Sequence, residues 1–256
     1  MTPPTAPLTA QNGRKATTLG IIQARMGSTR LPGKVLRKLA GRTVLDRVVR
    51  AARASGVLDD LVVATTTEAI DDAVEAECAR IGVDCYRGPV DDVLTRFLGV
   101  LETHDSDNVM RFTADCPLLD SRLIAMAWRV FGASGADYLT TSIARTLPRG
   151  LDVEIVRTPV LKAIDALATE HHRTHVTSYI YTHADEFDVI GLTMQPDLSH
   201  LRLTLDTPDD WRLIEAIIEH FGDVSVPVRT LTDWLAHRPE LTELNAHVEQ
   251  KALAQA

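Results

Sequence analysis

Short apolar runs alternate with stretches of helical periodicity through the first half of this 256-residue chain. The apolar runs predict buried strands at 18–22, 61–65, 85–86, 108–113 and 137–141. Between them, apolar positions recur at the spacing of one helix face, which predicts helices at 44–54, 69–81, 90–102 and 118–131. Strands that alternate with helices in this way are typical of parallel βαβ units. The predicted fold class is therefore α/β, a Rossmann-like, mostly parallel sheet with flanking helices.

The pattern is less regular between residues 143 and 196. Here and just beyond, the runs predict strands at 151–156, 188–193 and 201–205, and helices at 160–168 and 172–183. The regular order resumes with a helix over 207–221, which Thr207 can cap and Pro208 can begin, followed by amphipathic helices at 231–237 and 241–252. We therefore predict a single domain over residues 17–256 with a small added lobe at about 143–200.

The composition, 45% hydrophobic and 24% charged, is that of an ordinary globular protein. A formal net charge of −8 lacks the basic bias of a nucleic-acid-binding surface, and no apolar run approaches the length of a membrane span. Residues 1–16 are rich in Pro, Thr, Ala and Gln, lack the apolar core of a signal peptide, and are expected to form a disordered tail. The three cysteines have no metal-type spacing, which favours reduced thiols in a cytoplasmic protein.

The segment 21–34, IIQARMGSTRLPGK, follows the first predicted strand and combines glycines with cations. Its glycines are Gly27 and Gly33, and its cations are Arg25, Arg30 and Lys34. Glycines let a backbone turn close to a ligand with its N–H groups pointing inward, and the cations add positive charge to an acidic protein. The loop is therefore predicted to bind a polyanion of triphosphate size.

This loop has two other interpretations. A P-loop requires four residues between its glycines and a Ser or Thr after the lysine. Here five residues separate Gly27 from Gly33, and Val35 follows Lys34, so the loop is not a P-loop. A basic surface loop without a ligand is the remaining alternative.

Two aspartates stand directly after predicted strands. Asp115 follows the strand at 108–113, and Asp206 follows the one at 201–205. Ligands of open α/β sheets lie over the carboxyl ends of the strands, and carboxylates placed there suit Mg²⁺, which prefers oxygen ligands. The alternative is that each aspartate caps the helix that follows it.

The pattern Ala24-Arg25-x-x-Ser28-x-Arg30-Leu31-Pro32-Gly33-Lys34 resembles the nucleotide-binding signature of the sugar cytidylyltransferases, which make CMP-activated acidic sugars. The likeness is greatest to the SpsF branch of spore-coat polysaccharide biosynthesis, and it extends from about residue 18 to 218. It implies a fold of the nucleotide-diphospho-sugar transferase type, CTP as substrate, and Mg²⁺ held by Asp115 and Asp206. The residues that it implies for catalysis are Arg25, Lys34, Asp115 and Asp206. Those implied for nucleotide binding are Ala24, Arg25, Gly27, Ser28, Arg30, Lys34, Asp92 and Arg96.

The nucleotide roles of Asp92 and Arg96 come from the likeness of residues 88–97 to the same branch. An i,i+4 ion pair on a helix surface is the alternative for these two residues.

The resemblance also suggests which residues bind the second substrate, the acceptor of CMP. These are Arg145, Arg149, Asp152, Glu154, Arg173 and His175; Arg111 is added because it lies on the strand before Asp115, within reach of a phosphate or an acidic substrate. Arg149 stands where the SpsF branch commonly has an acidic or polar residue, and arginine forks bind carboxylate or phosphate oxygens. Asp152 and Glu154 alternate along the predicted strand, which would place them on one face. The alternative for Arg111 is a solvated position on an edge strand. The alternative for Arg173 and His175 is a position on a helix surface.

His171 and His175 are one helical turn apart, a spacing that also suggests a zinc site. No HExxH pattern accompanies them, and zinc requires further ligands.

The sequence thus favours a Mg²⁺-dependent cytidylyltransferase that joins CMP to an acidic sugar or a phosphorylated acceptor. The acceptor nucleophile is left open between a sugar hydroxyl and a phosphate oxygen. Two other functions were considered: a glycosyltransferase, which would usually carry an Asp-x-Asp pair that 115–117 lacks, and a nucleotide-binding protein without catalysis. The resemblance further implies a possible homodimer formed through the added lobe.

Overall fold

The alternating elements build one seven-stranded sheet and one two-stranded ribbon in the structure, a computed structural model that describes residues 15–250. The strands are β1 (Thr18–Gln23), β2 (Lys38–Leu39), β3 (Arg42–Thr43), β4 (Asp60–Thr66), β5 (Asp84–Gly88), β6 (Asn108–Thr113), β7 (Tyr138–Thr140), β8 (Glu154–Arg157) and β9 (Val189–Gly191). The helices are α1 (Val44–Ala54), α2 (Asp72–Ile81), α3 (Val93–Thr103), α4 (Ser121–Ser134), α5 (Thr158–Ala163), α6 (His171–Thr174), α7 (Ser178–Thr182), α8 (Pro208–Phe221), α9 (Val228–Ala236) and α10 (Pro239–Thr242).

The large sheet has the order β5-β4-β1-β6-β8-β7-β9. β1 pairs in parallel with β4 and β6, β4 pairs in parallel with β5, and β8 runs antiparallel to both β6 and β7. The chain moves outward from β1 to β5 and then returns to the other side of β1 as β6. The direction of winding therefore reverses between β1 and β6, which is where open α/β sheets bind ligands.

Apolar side chains pack against both faces of this sheet. One layer is formed with α1, α4, α8 and α9, and the other with α3, α5 and α7. The interior strand β4 is apolar at successive positions and buried over Leu61–Thr66, as expected for a parallel strand covered on both faces. The strands that carry the ligand-binding edge are thus held rigidly.

The predicted α/β class, parallel sheet and flanking helices are confirmed. Three predicted elements in the second half are wrong. The helix over 172–183 is two short helices, α6 and α7, interrupted at Val176 with a φ of 45°. Residues 201–205 form no strand and make a single bridge between Arg149 and Arg202. Within the helix predicted at 241–252, residues 243–250 are not helical.

The remaining expectations concern the ends and the lobe. Residues 1–14 of the predicted tail lie outside the described residues, while Ala16 is buried. The region 143–200 contributes β8 and β9 to the main sheet and packs α5 and α7 on one of its faces. In residues 15–250, no helix has the length and apolar character required to cross a bilayer.

Candidate active site

A cleft of about 430 Å³ lies at the carboxyl ends of β1 and β6, at the switch in winding direction. This volume is in the range of small-molecule sites. Most of the predicted site residues line it. They are Ala24, Arg25, Gly27, Ser28, Arg30, Lys34, Arg96, Asp115, Arg149, Asp152, His175 and Asp206.

At the centre of the cleft, one ammonium group lies between two carboxylates. Lys34 Nζ is 2.8 Å from Asp115 Oδ2 and 2.7 Å from Asp206 Oδ1. Lys34 begins a short 3₁₀ turn after Gly33, whose φ of 65° is left-handed and favours glycine. Asp115 follows β6, and Asp206 precedes α8. The basic loop and the two distant aspartates therefore meet at one point.

All three charges are stabilised by one another. Burial opposes ionisation of Asp115, but the nearby ammonium of Lys34 outweighs it and lowers the pKa of Asp115 to about 2. Burial also opposes the charge on Lys34, and the two carboxylates outweigh it, so the pKa of Lys34 is raised. Lys34 and Asp115 are thus both charged at neutral pH, and the group of Lys34, Asp115 and Asp206 is called the ion triad below.

Neither aspartate serves as a helix cap. The capping box of α8 is formed by Thr207 and Asp210, and α4 is capped by Asp120, whose side chain accepts from the Arg122 N–H. The capping alternative weighed for Asp115 and Asp206 is therefore wrong, and both carboxylates are available to the cleft.

Asp206 is also held in place by two arginines, Arg202 and Arg30. Its Oδ2 accepts a hydrogen bond of 2.7 Å from Arg202 Nη2 and lies 3.1 Å from Arg30 Nη2. Arg202 Nε binds Asp210 Oδ1 at 2.9 Å, and the fully buried Asp210 also accepts from Asn245 Nδ2 at 2.8 Å. Charged groups buried in this way are stable only when paired and hydrogen-bonded.

The sequence analysis missed Arg202, Asp210 and Asn245 as supports of the site. Thr207 and Asp210 stand at capping-box spacing, which was a usable signal for Asp210. Arg202 was assigned to a strand, and Asn245 to a helix that does not form. Their contacts join segments far apart in sequence, so no local pattern reveals them.

The basic loop is held by a buried carboxylate of the neighbouring strand connection. Asp71, 1% exposed, accepts a hydrogen bond of 2.7 Å from the Met26 N–H, and it also binds the Thr66 hydroxyl. Within the loop, the Ser28 hydroxyl accepts from the Leu31 N–H at 3.3 Å. Asp71 was likewise missed, because nothing in its sequence surroundings links it to the loop.

Arg25 and Arg96 are two of the cleft arginines that have no carboxylate partner among residues 15–250. Arg25 forms no ion pair there, and Arg96, 2% exposed, donates only a long hydrogen bond of 3.4 Å to the Ala64 carbonyl. The buried Arg96 Nε has no hydrogen-bond partner in that part of the chain. Burial and the charge of Arg25 lower the pKa of Arg96 to about 10. Both guanidinium groups are therefore available to bind an anion, or to donate a hydrogen bond to a ligand in the cleft.

Asp92 and Arg173 do not line the cleft. Asp92 caps α3 by accepting from the Thr95 N–H at 2.8 Å, and it binds Arg173 Nε at 2.5 Å. Arg173 also binds Asp165 Oδ1 at 2.9 Å. The structure therefore places these two residues as partners of each other outside the cleft lining, and their contact with substrate stays a prediction. The i,i+4 pair weighed for Asp92 and Arg96 does not form either, because Arg96 turns into the cleft.

Arg111 and Glu154 also lie outside the cleft lining, contrary to the expectation that they bind the acceptor. They form an ion pair, and Glu154 accepts a further hydrogen bond of 2.7 Å from the Tyr138 hydroxyl. Asp152 and Glu154 do not share a face, because β8 begins only at Glu154 and Asp152 lies in the preceding turn. The strand alternation on which that expectation rested does not reach Asp152.

Arg149, Asp152 and His175 form the other end of the cleft. Arg145 lies behind this end and is neutralised by Asp152, with Nη1 and Oδ1 2.6 Å apart. Arg149 has no such pair among the described residues; burial and the charge of Arg145 lower its pKa. Gly150, with a φ of 99°, allows the turn that presents Arg149.

The zinc site is not supported. In the described part of the chain, no group of three or more His, Cys, Asp or Glu side chains could hold a metal ion. A site for Mg²⁺ does not need three such ligands, because this ion usually keeps several waters and binds substrate phosphates.

Comparisons with known proteins agree with this geometry. The cytidylyltransferase family model matches residues 19–252. The spore coat polysaccharide biosynthesis protein SpsF of Bacillus subtilis (strain 168) is 35% identical over 213 residues, which cover 80% of this chain and 88% of that protein.

Solved structures show the same fold. A cytidylyltransferase from Leptospira borgpetersenii serovar Hardjo-bovis (strain JB197) superposes with a TM-score of 0.86 at 29% identity, covering 93% of this chain and 99% of that one. A CMP:2-keto-3-deoxy-manno-octonic acid synthetase complexed with CTP gives a TM-score of 0.60 at 15% identity, covering 80% and 99%, which is a likeness of fold alone. From the match along most of its sequence, this chain belongs to the cytidylyltransferase family.

Proposed function

We propose that this enzyme transfers CMP from CTP to a small acidic acceptor in a Mg²⁺-dependent reaction that releases pyrophosphate. The observation that carries the proposal is the meeting of Lys34 with Asp115 and Asp206 in a cleft bordered by the basic loop. An acceptor oxygen attacks the α-phosphorus of CTP, and the bond from that phosphorus to the oxygen bridging it to the β-phosphorus breaks. Catalysis of such a displacement is mainly positioning and charge neutralisation.

The basic loop is assigned to the triphosphate. Arg25, Arg30 and Lys34 neutralise the phosphate oxygens that leave as pyrophosphate, while the backbone from Ala24 through Gly27 and Ser28 follows the nucleotide closely. Arg96 borders the same space from α3 with an unsatisfied buried Nε. Its position supports a contact with the nucleotide.

The residues present fit a divalent cation. Asp115 Oδ2 and Asp206 Oδ1 already converge on one positive group, the ammonium of Lys34. Their carboxylate oxygens are ligands that Mg²⁺ prefers, with phosphate and water completing its shell. When bound, Mg²⁺ supplies charge stabilisation at the reacting phosphate. Arg202 and Asp210 keep Asp206 in the orientation that this requires.

The acceptor is assigned to the end of the cleft that contains Arg149. Because Asp152 neutralises Arg145 while Arg149 stays unpaired in the described chain, an acceptor carboxylate or phosphate would complete the charge pairing there. Asp152 and His175 line the same end and are proposed to contact the acceptor. The name of one relative, a spore coat polysaccharide biosynthesis protein, supports a sugar acceptor. An acidic sugar is the proposed form, with a phosphorylated acceptor as the second.

An assay of pyrophosphate release tests this proposal. It combines each of the four nucleoside triphosphates with keto-sugar acids and with phosphorylated metabolites. Turnover with CTP and one acidic acceptor is the expected result. Arg149→Met is expected to raise the KM for that acceptor while leaving the KM for CTP nearly unchanged, and Arg212→Met, an exposed arginine on α8, serves as the control. Binding of CTP without pyrophosphate from any acceptor would contradict the proposal and favour a nucleotide-binding protein without catalysis.

Cytoplasmic location and homodimer formation through residues 143–200 stay predictions. The molecular mass in solution tests the second of them.

A further inference from the structure

Lys34 occupies the position at which two carboxylates would hold a cation. Its side chain is 10% exposed, and its ammonium makes one short hydrogen bond to each aspartate. An opposite charge at this distance stabilises the ionised form of every member of the group. The negative charge of the two carboxylates is therefore partly neutralised by the ammonium group of Lys34.

Lys34 binds the one oxygen of Asp206 that is not already paired with an arginine, and it binds one oxygen of Asp115. On Asp206, Oδ2 is bound by Arg202 and faces Arg30, which leaves Oδ1 to Lys34. On Asp115, Oδ2 is bound by Lys34, whereas Oδ1 has the Cys116 thiol at 3.6 Å. The buried Asp210 pair fixes Arg202, so Asp206 cannot readily offer its other oxygen.

A lysine ammonium and a divalent cation cannot share this point. Both are positive and strongly hydrated, and their repulsion is large where water is partly excluded. The lysine stem is long and flexible, so the ammonium can leave the carboxylates if a stronger anion takes it. The phosphates of CTP are that anion under the proposed function.

We infer that Lys34 is an internal counter-ion which excludes a divalent cation from Asp115 and Asp206 until a nucleotide triphosphate draws its ammonium away. The inference rests on the proposed function. It makes the metal–nucleotide complex the ligand of the site, and free metal a poor ligand. Because coupling between two ligands is reciprocal, metal and nucleotide each strengthen the binding of the other.

Binding of Mn²⁺, followed by electron paramagnetic resonance without nucleotide, tests the inference directly. We expect Lys34→Met to bind one Mn²⁺ at least about tenfold more tightly than the wild-type protein, the size of effect produced by about 1.4 kcal/mol of coupling. Asp115→Asn added to Lys34→Met is expected to abolish the gain. Lys38→Met, which removes an exposed lysine of β2, is expected to match the wild type.

A measurement on the wild-type protein alone covers the case in which Lys34→Met does not fold. Mn²⁺ without nucleotide should leave its melting temperature unchanged, whereas Mn²⁺ with CTP should raise it above the value with CTP and a chelator. A rise with Mn²⁺ alone that Asp115→Asn removes would overturn the inference, as would equal Mn²⁺ affinities of the wild type and Lys34→Met.

The failure of the inference is distinguishable from the failure of the proposed function. If Lys34→Met gains no Mn²⁺ affinity while the wild type still releases pyrophosphate from CTP with Mg²⁺, only the inference falls. If no acceptor yields pyrophosphate and Mn²⁺ fails to bind even with CTP, the metal assignment itself falls.

Discussion

Asp206 combines the two demands made on a residue of this site, which are to carry charge and to stay in place. Lys34, Arg30 and Arg202 all contact its carboxylate. Arg202 is in turn held by Asp210, a residue with no exposed surface. A buried ion pair of this kind fixes the orientation of its two side chains. Removing one partner is costly in free energy, because the charge of the other remains buried.

Asp210→Asn is predicted to lower the free energy of unfolding by about 1.5–3 kcal/mol, because the buried Arg202 loses one charged partner and keeps Asp206 as its remaining carboxylate. Urea unfolding measures the loss. Asp209→Asn, on the same turn of α8 but partly exposed, is the matched control and should change stability by about 0.5 kcal/mol or less. Equal losses in the two variants would show that the buried pair has no special role.

At the scale of elements, the turn around Gly150 joins the acceptor end of the cleft to the segment that leads to Asp206. Arg149 donates its N–H to the Leu201 carbonyl at 3.0 Å, and the Leu203 N–H is bound to the Arg149 carbonyl. A Cβ atom on Gly150 would lie 2.5 Å from Leu203 C and Thr204 N, both main-chain atoms that cannot move aside. The close approach of these two segments therefore requires glycine.

Gly150→Ala is predicted to reduce the free energy of unfolding by about 1–3 kcal/mol more than Gly135→Ala does. Gly135 also has a positive φ, but a Cβ there meets nothing within 4 Å, so the comparison separates the backbone clash from the strain of the conformation. Thermal or urea unfolding gives the difference. Because the clash displaces Arg149, the KM for the acceptor should rise in Gly150→Ala only; unchanged stability and KM would contradict the requirement for glycine.

The elements also show how far the sequence alone could lead. The alternation of apolar runs and helical periodicity was sufficient for the parallel strands of the first half, although it did not indicate the short antiparallel ribbon of β2 and β3. It failed at 172–183, because Val176 adopts a left-handed conformation that no propensity predicts. It failed at 201–205, because burial makes a segment apolar whether or not it pairs as a strand.

The residues of the candidate site also divide into those that a local sequence pattern indicates and those that it does not. The basic loop, Asp115 and Asp206 each stand beside a recognisable strand or turn, and the structure brings them together in one cleft. Arg111 and Glu154 lie outside that cleft and pair with each other, since a polar residue that pairs inside the protein looks the same in sequence as one that faces a ligand. Asp71 and Arg202 were missed because their contacts cross long stretches of chain.

At the scale of the whole molecule, an acidic protein gathers cations at one edge of its sheet. The net charge is −8, yet the cleft is lined by Arg25, Arg30, Lys34, Arg96 and Arg149. A cleft of one dominant sign focuses the field on an oppositely charged substrate. The arrangement therefore favours anionic ligands over neutral ones.

The stability of the whole molecule should depend on pH through the ion triad. The pKa of Asp115 is lowered to about 2, so its contribution is present above its unfolded pKa of about 3.9 and is lost as the pH falls towards 2. The pKa of Lys34 is raised, so its contribution is present below about 10.5 and is lost at higher pH. The difference in unfolding free energy between wild type and Asp115→Asn should thus be constant from about pH 5 to 9 and shrink below about pH 4. A difference that grows on acidification would contradict the triad.

The most direct test of the central claim is pyrophosphate release from CTP, with Mg²⁺ and the acceptor found active, in Asp115→Asn and Asp206→Asn. Each variant should lose at least about 100-fold in kcat, the scale of removing a charge-stabilising group from an active site. Asp84→Asn, an exposed carboxylate at the start of β5, should retain wild-type turnover. Wild-type rates in either Asp115→Asn or Asp206→Asn would contradict the account, because the two carboxylates would then have no part in the reaction.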